Sequence, residues 1–139
     1  MSFMPDHLPL RAGENREYKR GMRDAAARWM QHYVTAWTSN DPEDIRALFT
    51  EGAVYATRPD DPEPWTGREQ IVERWIAAGD APGDWTFEWK LLGVDGGRAF
   101  VQGRTDYRGD SRSYDNLWVI QLTGDGRATE FTEWYMPRK

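Results

Sequence analysis

The chain has 139 residues, no cysteine, a net charge of −5, and 39% hydrophobic against 29% charged residues. That length suits a single domain with a proper core. The acidic balance argues against nucleic acid and anionic membrane as partners, since both demand a basic face. The absence of cysteine excludes disulfides, thiol nucleophiles and thiolate metal sites.

Only His7 and His32 could act as histidine ligands, too few for a multi-histidine centre, so neither metal nor cofactor is expected. The first twenty residues contain no apolar run, which predicts no signal peptide or membrane span and a cytoplasmic location. Aromatic residues are abundant: eight Trp, six Tyr and five Phe make 14% of the chain. Such side chains fill cores, line apolar pockets and form subunit interfaces.

Residues 1–13, with Pro5, Pro9 and Gly13, read as a mobile arm preceding one domain over 14–139. A helix is predicted from about Asn15 to Ser39, because Met22, Ala26, Trp29, Tyr33 and Trp37 recur at steps of three and four. A second helix starts at Asp41 as N-cap with Pro42 in the first turn, buries Ile45, Leu48 and Phe49, and ends at Gly52. Residues 53–57 alternate as a strand, and the proline-rich stretch 58–64 is a loop.

Thr66 and Glu69 have the spacing of a capping box opening a third helix, with Ile71, Val72, Trp75 and Ile76 on its apolar face and Gly79 as its stop. Trp85–Leu91 is large and apolar at every odd position, the pattern of a half-buried strand. Three more strands follow, over 98–108, 113–123 and 127–136, separated by short turns rich in Gly and Asp. Helices grouped ahead of consecutive strands indicate an α+β fold, with the helices covering one face of a curved antiparallel sheet.

Along the last three strands stand Arg104, Asp106, Asn116 and Glu133, polar groups that a purely structural sheet does not require. Arg104 and Asp106 share the more polar face of their strand with Phe100 and Gln102; the other face carries Ala99, Val101, Gly103, Thr105 and Tyr107. The pair therefore reads either as pocket chemistry or as a solvated surface pair. Glu133 shares its face with Phe131 and Tyr135, and Asn116 lies with Tyr114, Trp118 and Ile120.

The element order, together with ALFTEGAVY, the WTGREQI helix start and the closing GDGRATEFTEWY, resembles the SnoaL-like branch of the nuclear transport factor two-like superfamily. The resemblance covers roughly Arg23 to Met136. It implies a cone in which the sheet wraps the long first helix, a pocket at the open end, and a homodimer paired through the outer sheet face. Within that superfamily, QHYVTAWTSND and ALFTEGAVY resemble ketosteroid isomerases, whose oxyanion tyrosine corresponds to Tyr33. Their two acids fall near Thr57 and on Trp118, neither of which carries a carboxyl group. A dehydratase of the scytalone type would need two pocket histidines, and only His32 is available.

Limonene-epoxide hydrolases are similar at more positions. Their Arg-x-Asp strand corresponds to Arg104-Thr105-Asp106, their second carboxylate falls on Glu133, and their water-holding pair falls on Tyr55 and Thr57. This resemblance implies Glu133 as base, Asp106 as proton donor and Arg104 bridging the two, with Tyr55 and Thr57 holding the water. Tyr33, Trp37, Trp75, Tyr114, Asn116, Trp118 and Phe131 are expected to bind a small apolar or aromatic molecule. Two other classes stay open. A polyketide cyclase or isomerase needs one carboxylate and a positioned hydroxyl, and a non-catalytic binding protein needs neither.

Overall fold

A computed structural model describes residues 12–139. The arm expected over residues 1–13, with His7, lies outside the described residues except for Ala12 and Gly13, which already belong to the first helix. Helix α1 spans Ala12–Ser39 and runs through Gly21 without interruption. It buries Ala26, Trp29, Met30, Tyr33 and Ala36, the face that the three–four spacing predicts. No helix among the described residues is long and apolar enough to cross a membrane.

The chain leaves α1 through Asn40, whose positive φ of 51° is a conformation asparagine tolerates. Helix α2, Pro42–Arg46, is capped by Asp41, whose Oδ1 accepts from the Glu43 N–H at 2.8 Å. It ends earlier than expected. Strand β1 already begins at Phe49 and runs to Ala56, so Gly52 sits inside a strand, within a register shift between Phe49 and Val54, and does not stop a helix. The reason is the Leu48 carbonyl, which accepts from both the Trp29 indole at 2.9 Å and the Ala128 N–H at 2.8 Å. Those two bonds draw the backbone onto the sheet at the point where a helix would need it.

The capping box is also displaced. Strand β2 is the dipeptide Trp65–Thr66, paired to β1, and helix α3 runs Arg68–Ala78 with Gly67 as its N-cap at φ 88°. Gln70 rather than Glu69 reaches back to the Thr66 N–H, at 2.6 Å. Glu69 turns to Arg46 instead, at 2.9 Å. Gly79 ends α3 as predicted.

Strands β3 (Trp85–Asp95), β4 (Arg98–Tyr107), β5 (Ser113–Leu122) and β6 (Ala128–Pro137) form the expected antiparallel run. The sheet as a whole is mixed, because β1 joins β6 in parallel, giving the order β2-β1-β6-β5-β4-β3. This curved sheet packs its inner face on α1. Val101, Trp118, Ile120, Phe131 and Phe49 meet Trp29 and Tyr33 in one continuous core. Strand alternation sends the next residues outward, so the outer face carries Gln102, Arg104, Asp115, Leu117, Trp134 and Met136.

Candidate active site

Toward one end of the sheet the core opens into a cavity of about 300 Å³. Its walls are Tyr33 and Trp37 from α1, Tyr55 from β1, and inward side chains of β4, β5 and β6, including Thr105, Asn116, Trp118 and Glu133. Each of these side chains is placed by strand or helix periodicity, so the pocket is a continuation of the core in which polar atoms replace methyl groups. Phe131, fully buried, lies beneath and stacks on Tyr55 with ring centroids 4.3 Å apart.

Glu133 is the carboxylate of this cavity. It stands directly opposite Trp118 in the β5–β6 register, and Trp118 Nε1 donates to its Oε2 at 2.7 Å. Asn116 Nδ2 donates to the same oxygen at 3.1 Å, while Asn116 Oδ1 accepts from Thr105 Oγ1 at 2.8 Å. Among the described residues nothing donates to Oε1. Burial raises the Glu133 pKa above the usual glutamate range, and the two donated bonds only partly offset it. The group is thus oriented, desolvated and more basic than a surface glutamate.

Two phenols face it. The hydroxyls of Tyr33 and Tyr55 are 2.7 Å apart, both buried. Burial first, then their electrostatic coupling to each other and to Glu133, holds the Tyr33 pKa well above the ordinary phenol value. Tyr55 is likewise raised, mainly by burial and then by Glu133. Both stay protonated, so once one has donated to the other, the second proton remains available to a bound molecule.

A further layer braces the walls. Asp80, in the turn after α3, accepts on Oδ2 from Trp37 Nε1 at 3.1 Å and from the Tyr107 hydroxyl at 3.3 Å. Its backbone carbonyl accepts from Asn40 Nδ2 at 3.0 Å, and Asn40 Oδ1 accepts from Trp75 Nε1 at 3.2 Å. Trp75 lines a smaller cavity of about 110 Å³ that shares Tyr33, Trp37 and Tyr55 with the first. At the rim, Arg112 lies over the Tyr107 ring at 4.9 Å and pairs with Asp110 at 2.5 Å.

The structure brings together Glu133, Tyr55, Tyr33, Trp37, Tyr114, Asn116 and Trp118, all expected from sequence. It does not bring Arg104 or Asp106 to them. Those two side chains lie on the outer face, 47% and 42% exposed, with Arg104 Nε 3.3 Å from Asp106 and Ser113 Oγ donating to Asp106 at 2.5 Å. The Ser113 bond, then Arg104, lowers the Asp106 pKa, the reverse of what a proton donor needs. The expected bridge from Asp106 through Arg104 to Glu133 is therefore corrected: strand parity puts the sheet between them. Thr57 is outside the cavity lining as well, its hydroxyl 3.3 Å from Asp61 in the loop beyond β1.

Thr105, Tyr107, Arg112, Tyr135 and Asp80 were not anticipated. Thr105 and Tyr107 had a signal, because they lie on the same strand face as Val101. Asp80 had none, since a carboxylate in a turn between a helix and a strand is ordinarily solvated.

The profile of the SnoaL-like domain matches residues 30–133, most of the chain. This protein belongs to the SnoaL-like family. No curated protein matches it. Among solved structures, the SnoaL-like chain is similar to a candidate ketosteroid isomerase from Kribbella flavida, with 24% identity, TM-score 0.64, and coverage of 87% of this chain and 82% of that one. A nuclear transport factor two-like protein of unknown function from Mesorhizobium loti is 22% identical, with TM-score 0.64 over 82% and 93%. An epoxide hydrolase of limonene-hydrolase-like type from M. tuberculosis is 17% identical, with TM-score 0.59 over 82% and 84%. At these identities the likeness establishes the fold. The SnoaL-like domain supplies the pocket, and its chemistry has to be read from the side chains.

Proposed function

We propose that this protein binds a small, largely apolar or aromatic molecule in the Glu133 cavity and moves a proton on it, as an isomerase or cyclase does. The observation that carries this reading is Glu133 itself. One oxygen is held by Trp118 and Asn116, the other is free, and its basicity is raised by burial. Glu133 Oε1 takes a proton from a carbon next to a carbonyl, and the electron pair moves onto the carbonyl oxygen. That oxygen, now an enolate, accepts the free proton of the Tyr33–Tyr55 pair as a hydrogen bond. Glu133 then returns the proton to a different carbon, or the enolate carbon adds to a second carbonyl of the same molecule, whose C=O π bond opens and whose oxygen takes the proton back from Glu133. The scheme calls on no cofactor.

Two-carboxylate epoxide hydrolysis has less support, because Asp106 is on the far side of the sheet. One comparison separates these readings. A panel of aromatic and polycyclic ketones in deuterium oxide is followed by NMR for exchange at the carbon beside the carbonyl. Wild type is expected to accelerate exchange, Glu133→Gln to lose it by at least about a hundredfold, and Asp106→Asn to leave it unchanged. Loss of activity toward epoxides in both variants would restore the hydrolase reading. Binding without exchange in wild type and E133Q alike would make the protein a non-catalytic carrier.

We also propose a homodimer through the outer sheet face. Leu117 and Trp134 are cross-strand neighbours there, and with Met136 they expose apolar surface that a second copy would cover.

A further inference from the structure

The hydrogen-bond directions around the cavity carry information about what it selects. Tyr107 lines the cavity from the end of β4, and its hydroxyl is 3.3 Å from Asp80 Oδ2. A carboxylate oxygen only accepts, and Asp80 Oδ2 already takes the Trp37 N–H, so in this contact Tyr107 is the donor. With its one proton committed to Asp80, the Tyr107 oxygen retains only lone pairs. The Tyr33–Tyr55 pair is the opposite case, with two protons and one mutual bond. Tyr107, Tyr33, Tyr55 and Glu133 all line this one cavity.

We infer that Asp80 is a specificity-determining residue which fixes Tyr107 as a hydrogen-bond acceptor, so that the cavity selects a ring carrying both a carbonyl and a hydroxyl group. The carbonyl accepts from the Tyr33–Tyr55 pair and the hydroxyl donates to Tyr107. The inference rests on the cavity being the ligand site and adds the substrate class to it. A ring with an ether or hydrogen in place of the hydroxyl covers the lone pairs of the Tyr107 oxygen without giving them a donor, which is the stronger form of discrimination available to a polar pocket. Asp80 touches no ligand in this scheme; it acts through Tyr107. It is held from behind by Asn40, whose other end is fixed by Trp75.

The probes are 4-hydroxyacetophenone and 4-methoxyacetophenone, which share a carbonyl and differ in the donor. Calorimetric titration of wild type is expected to give at least about tenfold tighter binding of the hydroxy compound. Tyr107→Phe should bring the ratio close to one by weakening the hydroxy compound alone. Asp80→Ala, which removes the shared acceptor and frees the Tyr107 proton, should shift the ratio toward the methoxy compound while both ligands still bind. A merely structural Asp80 would weaken both ligands equally, and that result, or an unchanged preference in Y107F, overturns the inference. Equal affinity of wild type for the two ketones overturns it too, while leaving the cavity as a binding site. Failure of both ketones to bind wild type counts instead against the proposed function, and the inference falls with it.

Discussion

At Glu133 two requirements conflict. A base must be ionised to work, and burial penalises the ionised form. The folded-state pKa is raised, so between the ordinary glutamate value and that raised value the folded protein holds more protons than the unfolded chain. Stability arising from this group is therefore full at low pH and declines as pH rises through the window. Glu133→Gln, which keeps an acceptor for Trp118 and Asn116 without the charge, is expected to melt about 2–5 °C higher than wild type at pH 8. The difference should vanish near pH 4, and thermal melts across that range check it. Catalysis should show the mirror image. Activity rises with pH through the raised value, and Trp118→Phe, which removes the donor at 2.7 Å, should move that rise further toward alkaline pH.

At the scale of elements, the wall of the cavity depends on a residue with no side chain. Gly103 on β4 leaves a notch in which the Phe87 ring lies; a Cβ there would stand 2.6 Å from that ring and 3.3 Å from the Glu88 carbonyl. Seated in the notch, Phe87 stacks on Trp118 at 4.9 Å and meets Trp37 at 5.3 Å. Gly103→Ala is expected to cost about 1–3 kcal/mol in denaturant unfolding, because the ring must leave a packed stack. It should also weaken ligand binding, since Trp118 is the partner of Glu133. The elements themselves were legible in sequence where periodicity governs them: α1, α3 and the four long strands follow their apolar spacing. Their ends were less so. Gly52 signals a helix stop, yet it lies in β1, because two long-range bonds to Leu48 outweigh a local preference. Glu69 signals a cap, but the salt bridge to Arg46 diverts it. The site was legible on the strand faces that carry Asn116, Trp118 and Glu133. It was misread on β4, where a motif-like Arg-x-Asp sits one residue out of phase with the buried face that Val101 and Thr105 define. A one-residue offset in a strand exchanges inside for outside.

For the whole molecule, the inner face of the sheet is accounted for by α1 and the cavity, and the outer face is not. Leu117, Trp134 and Met136 lie among the charged side chains of Arg104, Asp115 and Arg138, an apolar centre with a polar rim. Sedimentation equilibrium is expected to give twice the 16.2 kDa chain mass for wild type. Trp134→Glu, an outward position that does not line the cavity, should give the single-chain mass with the cavity's ligand affinity retained. A monomeric wild type, or a dimer that survives the substitution, would place the subunit contact elsewhere or remove it.

The parallel union of β1 with β6 has a consequence for how the protein can be taken apart. Tyr55 and Trp118 come from strands that never pair with each other; the strand between them is β6, and it brings Glu133. A cut in the Gly124–Gly126 turn would thus separate a body holding both phenols and the Trp118 indole from a single strand carrying Glu133, among the described residues the only carboxylate of the cavity wall. Synthetic versions of that strand would carry other acids, isotopic labels or unnatural bases to one position between β1 and β5.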